Sequence, residues 1–214
     1  MRTAPVAGRR RFVFSLPLLA LLPWSLRGAA AVPPTPAQML GPFYPLQPDP
    51  AAGNDLATVD GRARALGTPL TIVGRVQDTA GRALAGVLVE IWQTNAHGRY
   101  HHPHDDSAPP LDPNFRGYGR DTSGREGDYR FRTVMPVAYP GRTPHVHFRL
   151  SRGGRELLVT QMYLPGEAGR RNQRDGLFMS AGDAEARARL VGVAQADAPG
   201  MLRFDIVVDV PGNR

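Results

Sequence analysis

Apolar residues recur at every second position over several short stretches of this chain. That period belongs to a β-strand with one buried face. Tyr129-Arg130-Phe131-Arg132-Thr133-Val134 alternates strictly, and so does His145-Val146-His147-Phe148-Arg149-Leu150. Leu70–Val76, Val87–Trp92, Leu157–Leu164 and Leu202–Val210 are further β-type runs, rich in β-branched residues. Turn signals separate them: Thr79-Ala80-Gly81-Arg82 after the first, and Ser151-Arg152-Gly153-Gly154 inside a hairpin. Only Ala184–Ala194 holds a helical stretch of useful length. These runs predict an all-β fold, an antiparallel β-sandwich with a barrel as the alternative closure. Two long irregular stretches, 93–128 and 135–144, interrupt the strands. Long loops on a rigid β scaffold are where sites gather.

The chain has 214 residues, enough for one domain and an extension. The extension reads as a leader. Arg9, Arg10 and Arg11 precede a mostly apolar run, Phe12–Leu26, broken by Ser15, Pro17, Pro23 and Ser25. Ala29-Ala30-Ala31 then supplies a small-residue site. This order predicts a signal peptide over 1–31, cleaved so that the mature chain starts at Val32. Arg-Arg-Arg-Phe resembles the bacterial twin-arginine export motif, which places the mature protein in the periplasm or outside the cell. The apolar run is short and proline-broken, so no stable membrane insertion is expected after cleavage; an uncleaved anchor is the alternative. Residues 32–60, rich in Pro, Gly and Ala, predict an extended arm laid over a β domain at 61–214.

The formal charge of +7 would by itself suggest a polyanionic partner. All 26 basic residues are arginine, and five of them lie in the leader, which holds no acid. The remaining 21 face 19 acidic residues, a balance of +2, and they are scattered. A nucleic-acid partner is therefore not expected. The absence of cysteine excludes disulfide scaffolds, thiolate metal sites and a Cys nucleophile. The absence of lysine excludes Schiff-base chemistry.

In a strand, residues i and i+2 share a face, so His145 and His147 converge about 7 Å apart along it. That suits a metal, and equally two half-buried histidines on a sheet face. His97, His101, His102 and His104 lie in a stretch with Gly, Pro and Asp, which predicts an exposed loop with weak, adventitious binding. No G-x-S-x-G, H-E-x-x-H or G-x-G-x-x-G pattern is present.

Several motifs in order are more specific. Gly41-Pro42-Phe43-Tyr44-Pro45 is followed by Gly86-Val87-Leu88-Val89-Glu90-Ile91-Trp92-Gln93 and Gly98-Arg99-Tyr100. Phe115-Arg116-Gly117, Asp128-Tyr129-Arg130-Phe131, Tyr139-Pro140, Arg142-Thr143-Pro144-His145-Val146-His147-Phe148 and Thr160-Gln161-Met162-Tyr163 complete the series. This series resembles the intradiol ring-cleavage dioxygenases over about Thr35–Asp209, nearer the protocatechuate type than the catechol type. The resemblance implies Fe(III) held by Tyr100, Tyr139, His145 and His147, with Tyr139 and His147 axial. It implies a catecholic substrate and O2, and ring opening between the hydroxyl-bearing carbons to a cis,cis-muconate-type diacid. Tyr139 would leave the metal and take a substrate proton, Arg142 would lie beside the ring, and Gln161 would bond to Arg142. A homo-oligomer is left open. Protocatechuate enzymes often carry an aromatic after the Tyr-Pro pair; Gly141 stands there and implies a differently shaped pocket.

The donor chemistry agrees. Phenolate is a hard oxygen donor, and with a free-tyrosine pKa of about 10 only a strong local cation holds two deprotonated. Taken singly, each tyrosine reads as a loop aromatic covering the sheet, and Arg142 as a solvated charge. Two alternatives stay open. One is a non-catalytic transthyretin-like or carboxypeptidase-regulatory-like binding module, since the opening strands share its pattern. The other is a zinc or iron(II) enzyme, for which no carboxylate completes a facial triad.

Overall fold

The computed structural model describes Met1, residues 31–59 and residues 63–210. The signal-peptide reading therefore falls outside the described residues almost entirely, as does the junction at 60–62 between arm and domain.

Among the described residues nine strands form two facing sheets. They are β1 (Pro69–Asp78), β2 (Leu88–Trp92), β3 (Tyr118–Thr122), β4 (Asp128–Val134), β5 (His145–Arg152), β6 (Arg155–Tyr163), β7 (Val193–Ala194), β8 (Met201–Arg203) and β9 (Ile206–Val208). One sheet has the order β4-β1-β8-β7, with β9 also on β1; the other has the order β3-β2-β5-β6. Alternation drives the assembly. In β1 the buried positions include Leu70, Ile72 and Val76; in β4 they include Tyr129 and Phe131. These side chains meet Val89, Ile91, Val146, Phe148 and Leu150 from the opposite sheet in one core. Each such side chain contributes roughly 1.5–3 kcal/mol by leaving water.

The structure departs from the sequence pattern in three places. Tyr118–Thr122 is a strand although Gly119, Arg120 and Asp121 break any apolar period; it is an edge strand, paired only to β2. The C-terminal strand is split into β8 and β9, both parallel to β1 in one continuous register. The split arises where Asp205 accepts the Arg75 backbone N–H and the Phe204 carbonyl accepts the Tyr129 hydroxyl, so side chains replace the ladder. The helical stretch shrinks to α2 (Ala184–Ala188), N-capped by Asp183 and followed by β7. A shorter helix, α1 (Gly176–Met179), is capped by Asp175. Among the described residues no helix is long and apolar enough to cross a membrane.

Residues 32–59 carry no strand or helix, only isolated bridges. They run across the edges of both sheets. Thr35 N–H donates to Val207 of β9 and Gln38 N–H to Val159 of β6, while Thr160 Oγ1 donates to the Pro36 carbonyl.

Candidate metal centre

The register of the second sheet sets the site. Trp92 pairs with Tyr118 on one side and His147 on the other, and His147 pairs with Gln161. Tyr118, Trp92, His147 and Gln161 thus form one row across four strands. His145 and Tyr163 pair in the next row. Strand β5 is buried on both faces over its first four residues. Val146 and Phe148 face the core between the sheets, so His145 and His147 point to the outer face, beneath the arm and the loops.

Six residues singled out in the sequence gather there. His145 Nε2 lies 3.2 Å from His147 Nε2 and 3.3 Å from the Tyr100 hydroxyl. The Tyr139 ring centroid is 5.6 Å from that of Tyr100 and 5.7 Å from that of His145. Arg142 Nη1 donates to the Tyr139 hydroxyl at 3.3 Å, and its Nη2 donates to Gln161 Oε1 at 2.6 Å.

Each donor is oriented from behind. His145 Nδ1 faces the Thr143 carbonyl at 2.6 Å, which assigns its proton to Nδ1 and leaves the Nε2 lone pair toward Tyr100 and His147. The His147 ring stacks on Trp92 at 4.7 Å with planes 10° apart. Phe43 of the arm stacks on Tyr100 at 4.5 Å. Gly41 comes so close to His147 that a Cβ would lie 3.2 Å from its Cε1, and its φ of +77° favours glycine as well.

The electrostatics favour neutral imidazoles. Burial, then the Arg142 charge, pushes His145 down to about 4. Burial, then His145, holds His147 well below its usual value. Burial, and then the adjoining Tyr139 hydroxyl, raises the Tyr100 phenol well above the usual tyrosine value. Buried His147 Nδ1 has no hydrogen-bond partner. Two imidazole nitrogens and two phenol oxygens therefore converge, a nitrogen and oxygen donor set that suits a hard cation. Among the described residues no cluster of three His, Cys, Asp or Glu side chains forms, so a metal held here would need the tyrosines among its ligands.

Four contributors were given no role by the sequence, although Trp92 and Tyr163 stand in its motifs. Buried Asp175 accepts from Arg142 Nε at 2.8 Å and from the Thr143 backbone at 3.0 Å. Burial opposes its charge, but those hydrogen bonds hold its carboxyl below the usual range. Tyr163 receives Arg142 Nη2 at 3.2 Å and donates to Gln38 Oε1 at 3.0 Å. Burial, then Asp175, raises Tyr163 to about 12. The fourth is Trp92. Asp175 lies 33 residues from Arg142, and Gln38 lies 125 from Tyr163; only the fold brings such pairs together. The exposed-loop expectation for the histidine-rich stretch fits His97, His101 and His104. It fails for His102, which is 7% exposed and packs edge-on against Phe43 of the arm.

Comparison with known proteins places this arrangement. Residues 39–210 match a family model described simply as a dioxygenase. The relatives carry the assignment further, and the chain belongs to the intradiol ring-cleavage dioxygenase family. It is 48% identical over 112 residues to the protocatechuate 3,4-dioxygenase beta chain of Burkholderia cepacia, covering 48% of this chain and 47% of that one. It is 31% identical over 196 residues to the 6-chlorohydroxyquinol 1,2-dioxygenase of Cupriavidus pinatubonensis, covering 82% and 64%. The chain thus spans about half to two-thirds of the lengths of these relatives. Among solved structures, the dioxygenase domain of a dioxygenase–carbohydrate-binding fusion from Streptomyces sp. SirexAA-E is 35% identical with TM-score 0.65, covering 83% of this chain and 99% of that one.

Proposed function

We propose that this chain is an Fe(III)-dependent dioxygenase that opens a catecholic ring between its two hydroxyl-bearing carbons with O2. The observation that carries this reading is the convergence of Tyr100, His145 and His147 at 3.2–3.3 Å, with Tyr139 and Arg142 beside them. Tyr100 and Tyr139 would hold the metal as phenolates, and His145 and His147 through Nε2. Bound there, iron supplies Lewis acidity that draws protons from phenols and catechols and holds the substrate oxygens in place.

The remaining work falls to the chain. Tyr139 is half-buried and borders the cavity that reaches the site, so its oxygen is placed to accept a catechol proton. Arg142 stays cationic: burial opposes its charge, and the Asp175 hydrogen bond and the nearby Tyr139 outweigh it. Fixed by Asp175, Gln161 and Tyr163, its guanidinium stabilises negative charge developing on the substrate. Phe43 and Trp92 cover Tyr100 and His147 and exclude water. The product is a cis,cis-muconate-type diacid. We also propose export through the twin-arginine-type leader, which the order of residues 9–31 supports.

A plain sandwich binding module needs none of this convergence and is not favoured. Oxygen uptake by the iron-loaded protein against a panel of catechols tests the reading. O2 consumed equimolar with catechol, and the ultraviolet band of a muconate-type product, are expected. A yellow extradiol semialdehyde, or no uptake, would overturn it.

A further inference from the structure

Beyond the Tyr139 wall lies a cavity of about 610 Å³, bordered by Tyr139, Gly141 and Arg142 and by the segment carrying Glu167, Arg170, Arg171 and Arg174. Sites of about 300–1,000 Å³ hold drug-sized ligands, so a bare catechol ring leaves most of this space empty. Gly141 widens it: its φ is +80°, and a Cβ there would meet nothing within 4 Å.

The cavity is also cationic. Its two carboxylates are already engaged. Asp175 accepts from Arg142, Thr143, Leu177 and Phe178. Glu167 pairs with Arg170. Among the described residues no carboxylate pairs with Arg171 or Arg174. Arg171 is the N-cap of a 3-10 turn, Asn172–Arg174, and Arg174 ends it; side chains three apart on such a turn stand on the same side. The turn is firmly seated. Asn172, 7% exposed, bonds the Thr143 hydroxyl and the Leu164 carbonyl, and Asp175 at the turn's end grips the Arg142 loop.

We propose that Arg171 and Arg174 bind a carboxylate on a side chain of the substrate while its diol faces Tyr139 and Arg142. The substrate is then a catechol bearing a carboxylated arm. This rests on the ring-cleavage reading above. Arginine suits the task because its planar fork matches a carboxylate with two parallel hydrogen bonds.

A matched pair of catechols tests it. Dihydrocaffeate is 4-ethylcatechol with a terminal carboxylate. The iron-loaded protein should cleave dihydrocaffeate with kcat/KM about tenfold above 4-ethylcatechol, the value of one charge-assisted contact. The double variant Arg171→Gln/Arg174→Gln should bring that ratio close to one. Arg152→Gln removes an exposed arginine at the far end of β5 and should keep the tenfold ratio. A wild-type ratio near one, or a double variant that keeps the preference, overturns the proposal. If neither catechol is cleaved, the ring-cleavage reading fails by itself. Calorimetric binding of the two compounds then decides the carboxylate pocket: tenfold tighter dihydrocaffeate, lost in the double variant, supports it, and equal binding overturns it.

Discussion

Two neighbouring regions of one sheet face carry polar clusters of similar make-up and opposite character. In one, Glu90, 3% exposed, accepts from Tyr44 at 3.0 Å, Tyr118 at 2.6 Å and Arg149 at 3.1 Å. Arg149 also pairs with Glu156 and lies over the Tyr44 ring. Every donor has an acceptor there, and Tyr118 is held above the usual tyrosine value by burial and then Glu90. In the other, two residues further along β2 and β5, Tyr100, His145 and His147 face one another and His147 Nδ1 has no partner. Both clusters hold tyrosines, and both are buried. The first has its donors and acceptors matched; the second leaves the buried His147 Nδ1 without a partner and turns imidazole and phenol groups toward one another. Unsatisfied buried polar atoms cost about 1–3 kcal/mol each, a cost that the second cluster carries at His147 Nδ1 and the first does not. Tyr44 touches both, donating to Glu90 and meeting Trp92 edge-on at 5.0 Å.

The sharpest break in this contrast is His147→Ala. It should abolish iron retention and oxygen uptake, read by elemental analysis and an oxygen electrode. Iron held at full stoichiometry would contradict the assignment. In the satisfied cluster, Glu90→Ala takes the acceptor from the buried Tyr118 hydroxyl and one of two carboxylates from Arg149 and should cost about 2 kcal/mol, seen as a lower denaturant midpoint. The protein that stays folded should still take up iron. Tyr139→Phe should lower kcat by about 100-fold through loss of the proton acceptor, while most of the iron remains; unchanged turnover would remove Tyr139 from the chemistry.

Acid separates the clusters further. His145 sits at about 4 in the folded chain, against about 6.5 unfolded. Its neutral form is favoured by folding, so the associated stability is full above about pH 6.5. It is lost as the pH falls toward 4, because the unfolded chain binds a proton that the native chain refuses. Denaturant midpoints of metal-free protein should fall over that window, and His145→Asn should flatten the slope. The smallest effect is expected for Tyr118→Phe, about 1 kcal/mol for one hydrogen bond, with iron content unchanged.

The sequence revealed the strands whose alternation is strict, such as Tyr129–Val134 and His145–Leu150, because burial of one face imposes the period. It missed β3, since an edge strand paired on one side tolerates Gly119, Arg120 and Asp121. Tyr100, Tyr139, Arg142, His145, His147 and Gln161 were legible through their motifs, and the fold brings them into one cluster. The roles of Asp175, Tyr163 and Gln38 were not, although Tyr163 closes one of those motifs. Each acts through a hydrogen bond to a distant part of the chain, and a lone Asp, Tyr or Gln carries no spacing to read. Of the arginines behind the +7 charge, Arg2, Arg9, Arg10, Arg11 and Arg27 lie outside the described residues, so the leader reading rests on the sequence alone.

The central claim is that two phenolates and two imidazoles hold one ferric ion. Titrating metal-free protein with Fe(III) while recording the visible spectrum tests it most directly. The account predicts a burgundy tyrosinate-to-iron charge-transfer band that saturates at one equivalent and is lost from a Tyr100→Phe/Tyr139→Phe double variant. A protein that binds iron and stays colourless, or a band that survives in that variant, would contradict it.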